Sequence, residues 1–203
     1  MTHVLVINSS LQGKQGNSAK AAELYVASLQ AQQSIELSEI DLNEINLPHL
    51  TASEMQAWST PVESRTDEQK QLASFTESFI EQIQRADHIV FAIPMYNFGI
   101  PSTLKAFFDR IARAGITFSY TENGPEGLIT GKQVTVLAAR GGKYQGTPMD
   151  TQTEYVKNFL AFLGMKEVNF FYIEGLAMGE ESATSAWDKF SEEISEPKAS
   201  SKD

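Results

Sequence analysis

Apolar residues along the chain come in two rhythms. Short, mainly apolar runs occupy residues 3–8, 87–93, 132–139 and 168–174, and the one at 87–93 shows no alternation. A run of this length, bounded by turn residues, reads as a strand covered on both faces. Residues 34–42 alternate more openly and read as a further strand. Between the runs the spacing changes to three and four. Ala22, Tyr25, Val26 and Leu29 define a helix over residues 18–33. Leu72, Phe75, Phe79, Ile80 and Ile83 define a second, opened by the Thr66/Gln69 capping pattern. Leu104, Phe107, Phe108, Ile111 and Ala112 form a third stripe, with Pro101 suited to its first turn. Val156, Phe159, Leu160 and Leu163 follow a Thr151/Glu154 cap, and residues 180–194 make a last helix. Residues 43–65 are polar and irregular, a long connection of the kind that covers a site or an interface. Residues 117–120 read as a short extended piece, followed by a turn at Asn123-Gly124-Pro125.

Five strands in regular alternation with helices imply a parallel sheet with helices on both faces, in one domain spanning residues 1–196 with a polar tail at 197–203. The expected fold class is α/β, flavodoxin-like, with strand order 2-1-3-4-5. Ligands of such sheets bind beyond the carboxyl ends of the strands, where the order reverses. The loops after the first, third and fourth strands are therefore the places to seek chemistry.

Composition narrows the choice. The 203 residues carry a net charge of -10, which disfavours nucleic acid and anionic membranes as partners. No cysteine is present, so thiol catalysis, disulfides and thiolate metal sites are excluded. His3, His49 and His88 have no ligand spacing, so no metal site is expected. His88, at the start of a strand, reads as structural. The amino terminus enters a strand directly and no apolar stretch approaches a membrane span, so a cytoplasmic protein is expected.

The loop after the first strand, residues 8–18, lacks both the GxGxxG and the GxxxxGK[ST] pattern. It brings hydroxyls to a helix start, where free N–H groups and the helix dipole favour a phosphate. The same residues serve equally well as an ordinary helix cap. After the third strand, Met95, Tyr96 and Phe98 offer apolar contact and Asn97 hydrogen bonds, as a flat heterocycle requires; packing beneath a helix is the plain alternative. After the fourth, Ala139-Arg140-Gly141-Gly142 offers close backbone approach beside a cation that would favour an anionic reduced flavin, or a simple turn.

Met95-Tyr96-Asn97-Phe98, residues 113–118 and residues 120–128 resemble the FMN-dependent NADH:quinone oxidoreductases, also called azoreductases. The resemblance spans nearly the whole chain. It implies a homodimer with one FMN per subunit near the interface, and NADH or NADPH as donor. It implies that Ser10, Gly16, Asn17 and Ser18 hold the phosphate and ribityl chain. Met95 to Phe98 and Arg140 to Gly142 would hold the isoalloxazine, and Phe118 and Phe162 would face the substrate. Tyr120 is expected as a wall of the substrate space. Ala139 stands where many relatives carry Ser, which removes one hydrogen bond to the cofactor. Quinones and azo compounds would accept two electrons in ping-pong turnover, with the flavin carrying the chemistry and no protein acid or base. A flavodoxin-type electron carrier, a reductase releasing reduced flavin, and a binding module that merely keeps the fold are the rival readings.

Overall fold

The computed structural model describes residues 1–45 and 47–195. The expected tail at 197–203 lies outside the described residues. Five parallel strands form the central sheet: β1 (Thr2–Asn8), β2 (Ile35–Asp41), β3 (His88–Pro94), β6 (Gln133–Ala139) and β7 (Val168–Ile173). Their order is β2-β1-β3-β6-β7, which is the expected 2-1-3-4-5 once a small hairpin, β4 (Phe118–Thr121) and β5 (Gly124–Gly127), takes two numbers.

Adjacent strand residues point to opposite faces, and both faces are filled. Val4 and Val6 of β1 pack with Ala22 and Val26 of α1 (Asn17–Gln32) and with Phe190 of α7 (Glu180–Ser195). Leu5 and Ile7 point the other way. They meet Phe79 and Ile83 of α4 (Asp67–Arg85), Phe107 and Phe108 of α5 (Ser102–Ile111), and Val156 and Leu160 of α6 (Thr151–Phe162). This two-sided burial explains why β3 shows no alternation: all seven of its residues are buried. Each large apolar side chain so covered contributes on the order of 1.5–3 kcal/mol. His88 lies within the sheet, its Nε2 2.9 Å from Thr135 Oγ1, as expected of a structural histidine.

Three readings change. The cap of α6 is Asp150, whose Oδ1 accepts from Thr153 N–H at 3.1 Å, and the expected cap Thr151 is the first helical residue. β2 is an edge strand and its burial does not alternate, since Leu37 is 45% exposed while Ile40 and Asp41 are buried. The segment expected to be irregular, 43–65, contains α3 (Ala52–Ser59), a 3-10 turn at Val62–Ser64, and most of the short α2 (Leu42–Ile45). α3 begins at a capping box in which Thr51 Oγ1 accepts from Glu54 N–H and Glu54 Oε2 accepts from Thr51 N–H. The same Glu54 carboxylate holds Arg110 of α5 in two hydrogen bonds of 2.9 and 3.0 Å, with both side chains buried. The Thr-x-x-Glu signal was present in the sequence; its partner 56 residues away was not.

Candidate active site

The strands end together. Asn8 pairs with Ala92, Pro94 with Ala139, and Ala139 with Ile173. The loops beyond these residues enclose a cleft lined by Ser10, Gln12, Asn17, Pro94, Met95, Tyr96, Ala139, Arg140, Gly141, Leu176 and Ala177.

The first wall is the loop after β1. Ser9 Oγ donates to Ala92 O at 2.8 Å and fixes the loop to the sheet. A 3-10 turn at Gly13–Gln15 leads to Gly16, the N-cap of α1, which offers no capping side chain. The first backbone bond of the helix runs from Lys20 N–H to Gly16 O, leaving the N–H groups of Asn17, Ser18 and Ala19 without helical partners. Beneath them Ser18 is fully buried, and its hydroxyl has no hydrogen-bond partner among the described residues. Gly16 has an ordinary φ of -68° and is required for space, because a Cβ there would lie 2.1 Å from Ser10 Oγ. Free N–H groups, an orphaned buried hydroxyl and the positive end of a helix together make a phosphate-sized anion site.

The second wall follows β3. Tyr96 and Gly99 exchange two backbone hydrogen bonds of 3.0 Å, closing a tight turn over Asn97 and Phe98. Both central residues have positive φ, 49° and 65°, which is strained for an aromatic residue. Met95 N–H donates to Ala139 O, so this loop is tied to the next. Asn97 and Phe98 form the exposed tip of the turn, and Phe98 meets Tyr144 edge-on at 5.6 Å.

The third wall follows β6. Arg140 is 1% exposed and its guanidinium is consumed inside the protein. It donates to Glu174 (3.0 Å), Asp150 (2.9 Å), Thr153 (2.9 Å) and Gln152 (3.2 Å), and lies over the Tyr172 ring. Burial would raise the Asp150 carboxyl, but the hydrogen bonds from Arg140 and Thr153 outweigh it and hold that group below the usual range. Two carboxylates therefore neutralise the one cation, and Arg140 presents only backbone to the cleft. Gly142 also departs from expectation. A Cβ there would meet the Tyr144 hydroxyl at 2.6 Å, so its missing side chain accommodates Tyr144. The Gly141 and Gly142 N–H groups make no hydrogen bond among the described residues.

Leu176 and Ala177, in the loop after β7, were missed by sequence reasoning. The signal available was their position after a fifth strand ending at the same edge. Phe118, Tyr120 and Phe162 gather elsewhere. Phe118 packs on Phe162 (4.4 Å) and Tyr120 (5.3 Å). Ile129 N–H donates to Leu163 O beside them, and Val134 pairs with Val168 at the amino ends of β6 and β7. Along α6, Phe162 lies eleven positions beyond Thr151, whose hydroxyl donates to Phe98 O, a rise of about 16 Å. The aromatic group thus stands at the opposite edge of the sheet from the cleft of its own chain.

Among the described residues no group of three or more His, Asp or Glu side chains is placed to hold a metal ion, and no helix is long and apolar enough to cross a membrane.

A doubly wound sheet with an anion site at the first helix and a cleft at its switch point defines a flavodoxin-type α/β protein. The sequence profile described as flavodoxin-like fold matches residues 2–196. An FMN-dependent NADH:quinone oxidoreductase of Alteromonas mediterranea is 53% identical over 97% of this chain and 98% of its own length. One of the same name from Cellvibrio japonicus is 50% identical over 89% of this chain and 91% of its own. The crystal structure of an FMN-dependent NADH-azoreductase from Bacillus anthracis in complex with FMN superposes with a TM-score of 0.85 at 26% identity, covering 96% of this chain and 98% of that one. The chain belongs to the flavodoxin-like family and, within it, to the FMN-dependent NADH:quinone oxidoreductases.

Proposed function

We propose that this chain is an FMN-dependent oxidoreductase that takes two electrons from NADH and delivers them to quinones, and that it also cleaves azo compounds reductively. The observation that carries the reading is the anion site at α1: three helix N–H groups without helical partners over the buried, unpartnered Ser18 hydroxyl. A flavin mononucleotide phosphate matches these donors in charge and in number. Ser10 and Asn17 follow it along the ribityl chain, and Gly16 permits the close approach of the loop to Ser10.

Met95, Tyr96 and the Tyr96–Gly99 turn supply apolar surface and backbone groups for the isoalloxazine, and Gly141 and Gly142 offer N–H donors from the facing loop. The bound flavin supplies the chemistry of hydride acceptance and two-electron release. The chain's own residues bind it, orient it and exclude water from one face. No side chain on the cleft acts as acid or base in this scheme. Arg140 contributes no net charge to the ring, because Asp150 and Glu174 share its guanidinium.

The remaining face needs a wall that one chain does not provide. Phe118, Tyr120 and Phe162 have the right chemistry to stack on a planar acceptor, but stand at the opposite edge of the sheet from their own cleft. α5 and α6 both run from the cleft to that distant edge. A two-fold pairing of two copies along these helices sets the aromatic group of each beside the cleft of the other. The donor and the acceptor then occupy the same open face in turn, which gives ping-pong kinetics.

The test is NADH oxidation by flavin-quantified protein with a quinone, with an azo dye, and with free FMN as the sole acceptor. Turnover with quinone and parallel lines in double-reciprocal plots are expected. Activity with free flavin alone means a flavin reductase. Failure to oxidise NADH with a bound flavin means an electron carrier.

A further inference from the structure

We infer that Gln152 is a positioning residue of the flavin cleft, which sets the Tyr96–Gly99 turn against the loops after β6 and β7. The inference rests on the reading of the cleft as a flavin site. Gln152 is the second residue of α6 and is 2% exposed. Its Nε2 donates to Pro94 O at 3.0 Å and to Gly99 O at 3.1 Å, the two carbonyls that bracket Met95 to Phe98. Its Oε1 accepts from Arg140 Nε at 3.2 Å. The amide orientation is fixed by chemistry. Turned over, it would set oxygen against two carbonyls and NH2 against a guanidinium.

The turn needs such a clamp. Asn97 and Phe98 both have positive φ, a conformation that persists only when its surroundings enforce it. Two backbone bonds close the turn upon itself, but they do not locate it in the cleft. Met95 N–H donating to Ala139 O and the Tyr96 hydroxyl accepting from Leu11 N–H anchor its first half, and Thr151 and Gln152 anchor the rest, through Phe98 O, Gly99 O and Pro94 O. Behind Gln152, Arg140 is held by Asp150 and Glu174, and Glu174 Oε1 also accepts from the N–H groups of Tyr144 and Gln145. One buried polar chain therefore joins the loops after β3, β6 and β7. It reaches the loop after β1 only at one remove, where Leu11 N–H donates to the Tyr96 hydroxyl at 3.3 Å, and among the described residues it makes no hydrogen bond to the first N–H groups of α1 or to Ser18. Gln152 governs the ring end of the cleft and leaves the phosphate end alone.

The prediction is read by titrating apoprotein with FMN and with riboflavin, which lacks the phosphate, following flavin fluorescence and the visible circular dichroism of the bound ring. Gln152→Glu keeps the acceptor for Arg140 and replaces the donor by a charge facing two carbonyls. Gln152→Met keeps the volume and removes the donor without adding charge. Both variants are expected to bind FMN and riboflavin about tenfold more weakly, by the same factor, with altered visible dichroism. If Gln152→Glu does not fold, Gln152→Met decides the matter alone. Affinities for both flavins within about twofold of wild type overturn the inference, even where melting temperature falls, because the residue is then only structural. A loss for FMN with none for riboflavin also overturns it. Failure of the wild-type protein to bind either flavin refutes instead the reading of the cleft.

Discussion

Ser18 should show opposite signs in the apoprotein and in the flavin complex. Its hydroxyl is buried without a partner, and an unpaired buried polar group costs about 1–3 kcal/mol. A bound phosphate would convert that cost into a charge-assisted hydrogen bond worth about 1.5–3 kcal/mol. Ser18→Ala removes both. The apoprotein should gain about 1–2 kcal/mol, less the small void left by one oxygen. For a chain of this size that is a rise in melting temperature of roughly 2–8 °C. FMN should bind about 10- to 100-fold more weakly, while riboflavin affinity stays unchanged. Ser18→Asp sharpens the contrast. At the second position of α1 the carboxylate meets the free N–H groups and the positive helix end, which offset part of the cost of burying its charge in the apoprotein. A carboxylate about 4 Å from the phosphate costs on the order of 4 kcal/mol per unit of phosphate charge at an effective dielectric near 20. Calorimetry of apoprotein and fluorescence titration with the two flavins measure all of this. An apoprotein made less stable by Ser18→Ala, with FMN affinity intact, would show the hydroxyl to be structural and refute the placement of the phosphate.

Gly16→Ala should weaken FMN binding by an order of magnitude or so, because its Cβ would press on Ser10 within 2.1 Å; riboflavin again serves as the control. Phe118→Ala should destabilise the protein by about 3–5 kcal/mol, since Phe118 is buried, whereas Tyr120→Ala should leave stability and FMN affinity intact and raise the KM for quinone. Sedimentation at micromolar concentration should give a dimer, and a fully active monomer would rule out the shared wall. Asp150 is held below the usual carboxyl range. Its contribution to stability is present above the unfolded value of about 3.9 and is lost as pH falls through the folded value. Asp150→Asn should therefore lower stability at pH 7 and flatten its decline below about pH 4, as chemical denaturation across that range will show.

Much of the architecture was legible because it is written locally. The 3.6-residue stripes of α4, α5 and α6, the Thr66/Gln69 cap and the uninterrupted run of β3 each declare an element within a few residues. Alternation of strands and helices then leaves few topologies, and the right-handed crossover rule selects the edge where the loops meet. Ser10, Asn17, Met95, Tyr96, Ala139, Arg140 and Gly141 accordingly line one cleft. Local signals failed where the pattern was short, as at α3, whose capping box went unread inside a polar segment.

The sequence by itself determined the elements, their order and the edge that bears the site, because helix and strand periodicity and turn chemistry are properties of neighbouring residues. Only the tertiary structure decided what the side chains there do. Arg140 looks in sequence like a cation offered to a ligand; Glu174, 34 residues on, and Asp150 claim its charge. Phe118 and Phe162 are expected to face a substrate, and the length of α6 carries them to the edge of the sheet far from the cleft of their own chain. Gln152 gave no signal at all, since an amide two residues into a helix is ordinary until Pro94 and Gly99 are folded against it. Such roles depend on hydrogen-bond partners distant in the chain, which come within reach only when the sheet register has fixed where each loop begins.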